Sequence, residues 1–351
     1  MIERVRLLDP GLKPTTWNLA LSAALVERHR RGDTPSTLRF QLFPPSAILG
    51  RHQILPREVN LDWCAAHGVA VTRRITGGGA IIMDPGILGW ELLLPARMFG
   101  SSLATAAERI CTAVAAGLST LGIAARYRPR NDIEVEGRKL CGTGGFFDGP
   151  SLLYQGTVIL RLDRDLLRNA LLWPSDKLAR HGAAAIDDRV TDLESVLGRT
   201  VDLSAVKTAF LGGLAQGLDL DFAPGLLDPA EEDLAQALMD EEIATPEFIA
   251  GNPPGDAPGV LAAARQTPGG AIAVHAKLRP GPERIIESVV FSGDFFVNPP
   301  RAILDAEAGL VEARLTEAPS RLRTLLQASG ASFLGCGPED FASVLDEIGS
   351  S

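Results

Sequence analysis

The chain has 351 residues, 46% of them hydrophobic and 22% charged, the composition of a soluble globular protein and not of a disordered or fibrous one. A formal net charge of −9 argues against a broad nucleic-acid-binding face, although Arg73, Arg74, Arg126, Arg128 and Arg130 could form a local basic patch. The cysteines at 64, 111, 141 and 336 show no CxxC pair and no metal-ligand spacing, so reduced and mostly buried thiols are expected.

In chain order, Met1 to Pro10 carries no apolar core of signal-peptide length. Thr15–Arg31 reads as a helix with Leu19, Leu21, Leu25 and Val26 as its apolar stripe. Strands follow at Leu38–Leu42 and Ala47–Gly50 around the Pro44-Pro45 turn. A short helix over Leu61–His67 ends at Gly68 and leads into a strand Val69–Arg73. The glycines at 77 to 79 then open into Ala80–Met83, a turn at Asp84–Gly86 and a strand near Trp90–Leu94, a hairpin-like unit. A helix directly after the glycines, which dinucleotide or P-loop binding requires, is not expected. Ala104–Leu121 is an alanine-rich helix stopped by Gly122. Strands are expected at Ile133–Val135, Lys139–Gly142 and Leu152–Leu160, and helices at Leu166–Leu171, Leu203–Leu218 and Ala230–Glu242. The turn formers Gly251-Asn252-Pro253-Pro254-Gly255 read as a linker. Beyond it come strands Ala271–Arg279 and Arg284–Phe291 and helices near Ala302–Leu310 and Pro319–Ala328. The reading is two domains, 1–250 and 251–351. No apolar run approaches the roughly eighteen residues of a membrane span, and a cytoplasmic location is expected.

Two segments carry chemistry. Arg73-Arg74-Ile75-Thr76-Gly77-Gly78-Gly79-Ala80 joins a cationic pair to three glycines, whose backbone N–H groups can approach an anion closely because no Cβ intervenes. Asn131-Asp132 followed by Gly137-Arg138-Lys139-Leu140-Cys141-Gly142 places an amide, a carboxylate and a lysine on a strand–turn–strand. Lys139 is the only lysine between residues 14 and 176, and its compact ammonium does what a guanidinium does less well. Together these groups could hold a carboxylate and a phosphate at once, with Asp132 a candidate Mg²⁺ or nucleotide-hydroxyl ligand. Each also has an ordinary reading: glycines as a hairpin corner, arginines as solvated charges, Asn131-Asp132 as turn chemistry, Cys141 as a buried structural thiol.

In this order the segments resemble the lipoate–protein ligase family. The resemblance rests on Pro45–Gln53 with Glu58-Val59-Asn60, on residues 73–80, on Asn131-Asp132 with Gly137–Thr143, on Gln155-Gly156-Thr157, and on Asp187-Asp188-Arg189-Val190-Thr191-Asp192-Leu193. It spans roughly Trp17 to Leu218. Ser292-Gly293-Asp294-Phe295-Phe296 and Glu307 to Leu310 resemble the family's small accessory domain. The resemblance implies an α+β fold: a mixed sheet packed with helices, shared with biotin ligases and octanoyltransferases, plus a small α+β C-terminal accessory domain. It implies an enzyme that forms lipoyl-AMP (or octanoyl-AMP) from the acid and ATP with Mg²⁺. The acyl group then passes to a lysine of a lipoyl domain or glycine-cleavage H protein; neither nucleic acid nor membrane is an expected partner. By the same resemblance Lys139 is the catalytic lysine, and Gly77, Gly78 and Gly79 wall the acyl and phosphate site beside Arg73 or Arg74. Asn131 and Asp132 lie at the nucleotide, with Gly142, Thr143, Gly156 and Thr157 lining the pocket.

The chain departs from the family pattern at Ser22, at Met83-Asp84-Pro85-Gly86-Ile87, at Gly142–Phe147 and at Gln155. The rival readings are an ATP-independent octanoyl- or lipoyltransferase, which would work through a cysteine thioester, and a non-catalytic acyl- or acceptor-binding module.

Overall fold

A computed structural model describes residues 2–100, 102–172, 189–251, 259–299 and 301–349. Asp187, Asp188 and the linker residues Asn252 to Gly255 lie outside the described residues. The chain divides into two compact units. The first comprises Met1–Ile48, Val59–Thr72 and Ile81–Thr245; the second comprises Leu49–Glu58, Arg73–Ala80 and Pro246–Ser351.

The first unit is built on an eight-stranded mixed sheet. Its strands are β1 (Glu3–Leu8), β2 (Thr37–Gln41), β6 (Ile87–Pro95), β7 (Arg126–Arg128), β8 (Asp132–Val135), β9 (Arg138–Asp148), β10 (Ser151–Ile159) and β11 (Leu220–Pro224), in the order β11-β1-β2-β6-β10-β9-β8-β7. β1 runs parallel to β11 and to β2, and the remaining pairs are antiparallel. A smaller sheet holds β3 (Ser46–Leu49) between β4 (Ala70–Arg73) and β5 (Ile81–Met83). The expected hairpin after the glycines is therefore not formed. β5 pairs with β3 and β6 with β2 and β10, while Asp84 Oδ1 accepts the Gly86 N–H at 2.7 Å to turn the chain from one sheet to the other.

Helix α1 (Thr15–Arg31) packs on one face of the large sheet; α2 (Leu103–Ser119) and α3 (Leu203–Leu218) pack on the other. Side chains identify the faces. Cys111 on α2 lies 3.4 Å from the hydroxyls of both Thr143 and Tyr154, and Phe210 on α3 packs against Trp90. On the α1 side, the fully buried Arg39 guanidinium pairs with Glu91 at 2.7 Å and donates to the Asn18 carbonyl and the Ser22 hydroxyl. Ser22 in turn donates to Glu91 at 2.5 Å. This is a buried ion pair with its remaining valences satisfied, the condition under which such a pair is tolerated.

The second unit has an antiparallel sheet, β12 (Val260–Thr267), β13 (Gly270–Leu278) and β14 (Ile286–Gly293), covered by α6 (Ala302–Leu310), α7 (Ala318–Ala328) and α8 (Pro338–Gly349). A five-residue helix α5 (Pro246–Ala250) opens its C-terminal part, and α4 (Pro229–Leu238) precedes it in the first unit. Ile272, Val274, Phe291, Phe295 and Phe341 form the core, with Phe295 and Phe341 edge-to-face at 4.8 Å. Glu307 is buried beside this core. Its carboxylate accepts the Phe291 N–H at 2.6 Å, and burial raises its pKa to about 7. The fold class expected from the sequence, a mixed sheet with helices plus a small α+β part, is the one observed. Among the described residues no helix is long and apolar enough to cross a membrane.

Candidate active site

Lys139 owes its position to an irregularity in one strand pair. In the β8–β9 ladder Glu134 stands opposite Lys139 and Ile133 opposite Cys141, so one step along β8 matches two along β9. Leu140 is the extra residue of a bulge. Without it, Lys139 and Cys141 would share a face, since side chains two apart on a strand do. With it they part. Cys141 turns with Ile133 to the α2 side, where it is fully buried and burial holds its thiol pKa well above the usual range. Lys139 turns with Glu134 to the opposite face, and its side chain keeps 38% of its surface exposed.

On that face Lys139 Nζ lies 2.7 Å from Asp132 Oδ1. Asp132 stands opposite Gly142 in the ladder. A Cβ at Gly142 would meet Lys139 Cε at 2.7 Å and Nζ at 2.8 Å, so the missing side chain is what allows the lysine to lie across β9 toward Asp132. The lysine's backbone is held as well: its N–H donates to the Arg189 carbonyl and its carbonyl accepts from Thr191. Asn131 is anchored by exchange with Thr143. The amide Nδ2 donates to the Thr143 carbonyl at 2.5 Å, and the Thr143 hydroxyl and N–H donate to the Asn131 carbonyl. Register places Gly142 and Gln155 on the Lys139 face with Thr157, while Thr143 and Gly156 face α2, where a Cβ at Gly156 would meet Trp90.

The other predicted residues belong to the second unit. Arg73 is 1% exposed. Its guanidinium donates to the carbonyls of Gly50, Arg51 and Gln53 and to those of Phe248, Ile249 and Ala250, the C-terminal end of α5. A cation is favoured there because a helix leaves its last carbonyls unpaired and carries partial negative charge at that end. Burial and Arg51 lower the Arg73 pKa to about 10. Arg74, also buried, donates to the Gly77 and Gly79 carbonyls at 2.7 and 2.8 Å. Burial first, then the charge of Arg73, brings its pKa down to about 10 as well. The Gly78 N–H donates to the Phe295 carbonyl, and Gly78 has φ +90°, a backbone region suited to glycine. A Cβ on Gly77 would strike that same Phe295 carbonyl at 2.4 Å. Close packing against Phe295 and Phe296 thus requires the first two glycines; Gly79 has room for a Cβ.

Of the predicted residues, Lys139, Asp132, Gly142, Thr143, Gly156 and Thr157 are gathered on neighbouring strands of the first unit, with Asn131 in the turn that leads into β8. Arg73, Arg74, Gly77, Gly78 and Gly79 form a loop in the second. Sequence reasoning missed the Arg189–Thr191 clasp on Lys139 and the Tyr154 hydroxyl, 2.7 Å from Thr143. The spacing of three residues between Lys139 and Gly142 was the one available signal for the lysine's path. Among the described residues no group of three or more His, Cys, Asp or Glu side chains is arranged to hold a metal. Asp132 by itself can supply a single carboxylate ligand, which suffices for an Mg²⁺ that keeps its other ligands from phosphates and water.

The chain is 30% identical over 258 residues, 67% of this chain and 94% of the relative, to octanoyltransferase LipM of Symbiobacterium thermophilum. Its fold superposes with a TM-score of 0.63 on a chain from the archaeal lipoylation system of Thermoplasma acidophilum, a bipartite lipoate protein ligase and its E2 lipoyl domain. That match has 26% identity and covers 73% of this chain and all of the other. A lipoate-protein ligase A bound with ATP matches with a TM-score of 0.62 and 27% identity, covering 72% of this chain and 99% of that one. Residues 14–215 match the lipoyl protein ligase A/B catalytic domain. The chain belongs to that family.

Proposed function

We propose that this protein is an ATP-dependent lipoate–protein ligase. It activates lipoate, or octanoate, as the acyl-AMP and transfers the acyl group to a lysine of a lipoyl domain or glycine-cleavage H protein. The observation that carries the reading is the segregation of Lys139 from Cys141 by the β9 bulge. A thioester route needs a reachable cysteine, and all four cysteines lie among the described residues. Cys64, Cys111 and Cys141, the three cysteines of the first unit, are buried, while Cys336 is half-buried. Lys139, on the exposed face, is left as the group to bridge the acyl carbonyl and the α-phosphate. Such a preorganised donor contributes roughly 3–4 kcal/mol to the transition state. The loop of Gly77, Gly78 and Gly79 is read as the backbone wall of the acyl and phosphate site, and Arg74 draws two of its carbonyls inward. The Gly78 N–H, which follows the first of these carbonyls, is taken by the Phe295 carbonyl, so the Ala80 N–H, directed away from the Gly79 carbonyl of the same peptide unit, is the amide of this stretch assigned to the anion. Arg73 acts at one remove, fixing the chain on which the loop stands. Asn131 and Asp132 are assigned to the nucleotide, and Asp132 would give one oxygen to the Mg²⁺ that accompanies ATP. The ATP-bound ligase and the ligase with its lipoyl domain among the structural neighbours support the substrate and the acceptor.

A second reading, octanoyl transfer without ATP, is favoured by the similarity to octanoyltransferases. Intact-mass analysis of a lipoyl domain separates the two, after incubation with protein, lipoate and Mg²⁺, with and without ATP. The ligase predicts an ATP-dependent gain of one lipoyl group that the Lys139→Ala variant abolishes. Acyl gain only from a carrier-bound octanoyl thioester, without ATP, would replace this reading with the second.

A further inference from the structure

We infer that the outer edge of the large sheet, strands β7 and β8, is the docking surface for an acidic acceptor protein, electrostatically matched to the face that bears Lys139. The inference rests on the function proposed above for Lys139 and adds the surface that presents the acceptor to it. Although the chain carries a net charge of −9, five cations stand against three carboxylates between residues 126 and 139: Arg126, Arg128, Arg130, Arg138 and Lys139 against Asp132, Glu134 and Glu136.

The strand pairing puts this charge on one face. Arg126 lies opposite Glu134 and Arg128 opposite Asp132, while Glu134 and Asp132 lie opposite Lys139 and Gly142. Directly opposed residues project to the same side. The arginines of β7 therefore share the Lys139 face. Tyr127 between them turns to α2, where the Cys111 and Glu108 charges raise its pKa after burial does. Neighbouring strands are about 4.8 Å apart, so β7 lies about 10 Å from β9, within the reach of a domain whose own lysine extends to the site.

The cations are available. Arg126 and Arg128 are 70% and 49% exposed and share a single buried carboxylate, Glu134, at 2.8 and 3.7 Å. One carboxylate between two guanidiniums leaves an excess positive charge. Arg130, in the turn between β7 and β8, is exposed and pairs with no carboxylate among the described residues. Arg189, whose carbonyl holds the Lys139 N–H, is exposed too. β7 is the last strand of the sheet order, and three exposed arginines in five residues mark that edge. Their openness fits a macromolecular partner better than a nucleotide, whose phosphates ordinarily meet converging backbone N–H groups. Opposed charge chiefly accelerates encounter and orients it, which suits an acceptor that must arrive, react and leave.

The test is a binding titration of an acidic apo-lipoyl domain against the full chain and the triple variant Arg126→Gln/Arg128→Gln/Arg130→Gln, at about 50 and 200 mM salt, across which the Debye length shortens. A second arm measures acyl-AMP formation without acceptor. We expect acceptor affinity to fall at least tenfold in the variant and its salt dependence to flatten, with lipoate and ATP KM values unchanged; the thermal midpoint should fall, because the buried Glu134 loses both guanidinium partners, while the protein stays folded at the assay temperature. Unchanged acceptor affinity and salt slope would overturn the inference, and so would a rise confined to the ATP KM, which would give the arginines to the nucleotide. The titration needs neither ATP nor acyl donor, so it reads the surface even if acyl supply proves to be by transfer and the ligase reading fails.

Discussion

Replacing Gly142 by alanine tests the placement of Lys139 without touching the lysine itself. The new Cβ would lie 2.7 Å from Lys139 Cε and 2.8 Å from Nζ, and ordinary contact begins at 3.4 Å, so the side chain must withdraw by about 0.7 Å or swing to another rotamer. The obstacle is the far end of a flexible chain, so the fold should yield cheaply. Glycine to alanine at a compatible backbone stabilises by about 0.4–1 kcal/mol through the unfolded state. The part-exposed Lys139–Asp132 pair it disturbs is worth no more than about 1 kcal/mol. The melting midpoint should barely move. Catalysis should not be so tolerant, since a misplacement of about 1 Å at a reacting group costs on the order of 100-fold. Gly156→Ala is the contrasting control. Its Cβ would meet the Gly142 carbonyl, Trp90 and Thr143 at 2.7–2.8 Å, where backbone and buried ring cannot give way, and overpacking of this kind costs roughly 1–3 kcal/mol. Acyl transfer followed by intact mass, alongside thermal melts, reads both variants. A Gly142→Ala protein with undiminished transfer would refute the idea that the ammonium's position matters. One that melted as early as Gly156→Ala would show that the lysine is not free to move.

Two further outcomes follow from buried groups. Cys141→Ala should retain transfer within about twofold of the native rate, because the thiol faces α2 with its pKa held high by burial; loss of activity together with a cysteine-linked acyl adduct on the native protein would contradict this. Glu307→Gln should flatten the pH dependence of stability. With a folded pKa of about 7 against an ordinary 4.5, the folded state keeps a proton that the unfolded state gives up. That contribution is complete below pH 4.5 and is lost as pH rises to 7, by up to about 3 kcal/mol. Melting points of the native chain should fall over that interval while those of the variant do not, and parallel curves would show that Glu307 titrates normally.

Sequence periodicity was sufficient wherever local signals and tertiary environment agree. Thr15–Arg31, Leu203–Leu218 and Ala302–Leu310 are helices at the expected bounds, each with an apolar stripe and a clear end. β1 and β11 escaped notice because each is a short parallel strand whose partner is distant in sequence. The sequence pattern ends β9 at Gly142, yet the strand continues to Asp148. Thr143-Gly144-Gly145 has poor strand propensity, and pairing with β10 overrides it. The same limit applies to Arg73. Two arginines before three glycines suggest an anion site, and nothing nearby in sequence reveals that the first guanidinium is taken up by carbonyls about 20 and 175 residues away. Lys139 was found through its isolation among arginines, whereas the direction of its side chain is a property of the ladder and invisible in the segment alone.

That direction is where sequence and chemistry meet most closely. A lysine and a cysteine two residues apart on a strand would ordinarily stand side by side, which is the arrangement a thioester mechanism could use. Leu140 separates them by occupying the unpaired place in β9, at no cost in burial, since Leu140 and Cys141 are both wholly enclosed. The packing that hides the thiol is thus the packing that exposes the ammonium. Asp132, reached because Gly142 leaves its path clear, then fixes the ammonium on the open face. In this chain the pairing around the lysine, and not the nearness of a cysteine in the sequence, decides which group reaches the open face.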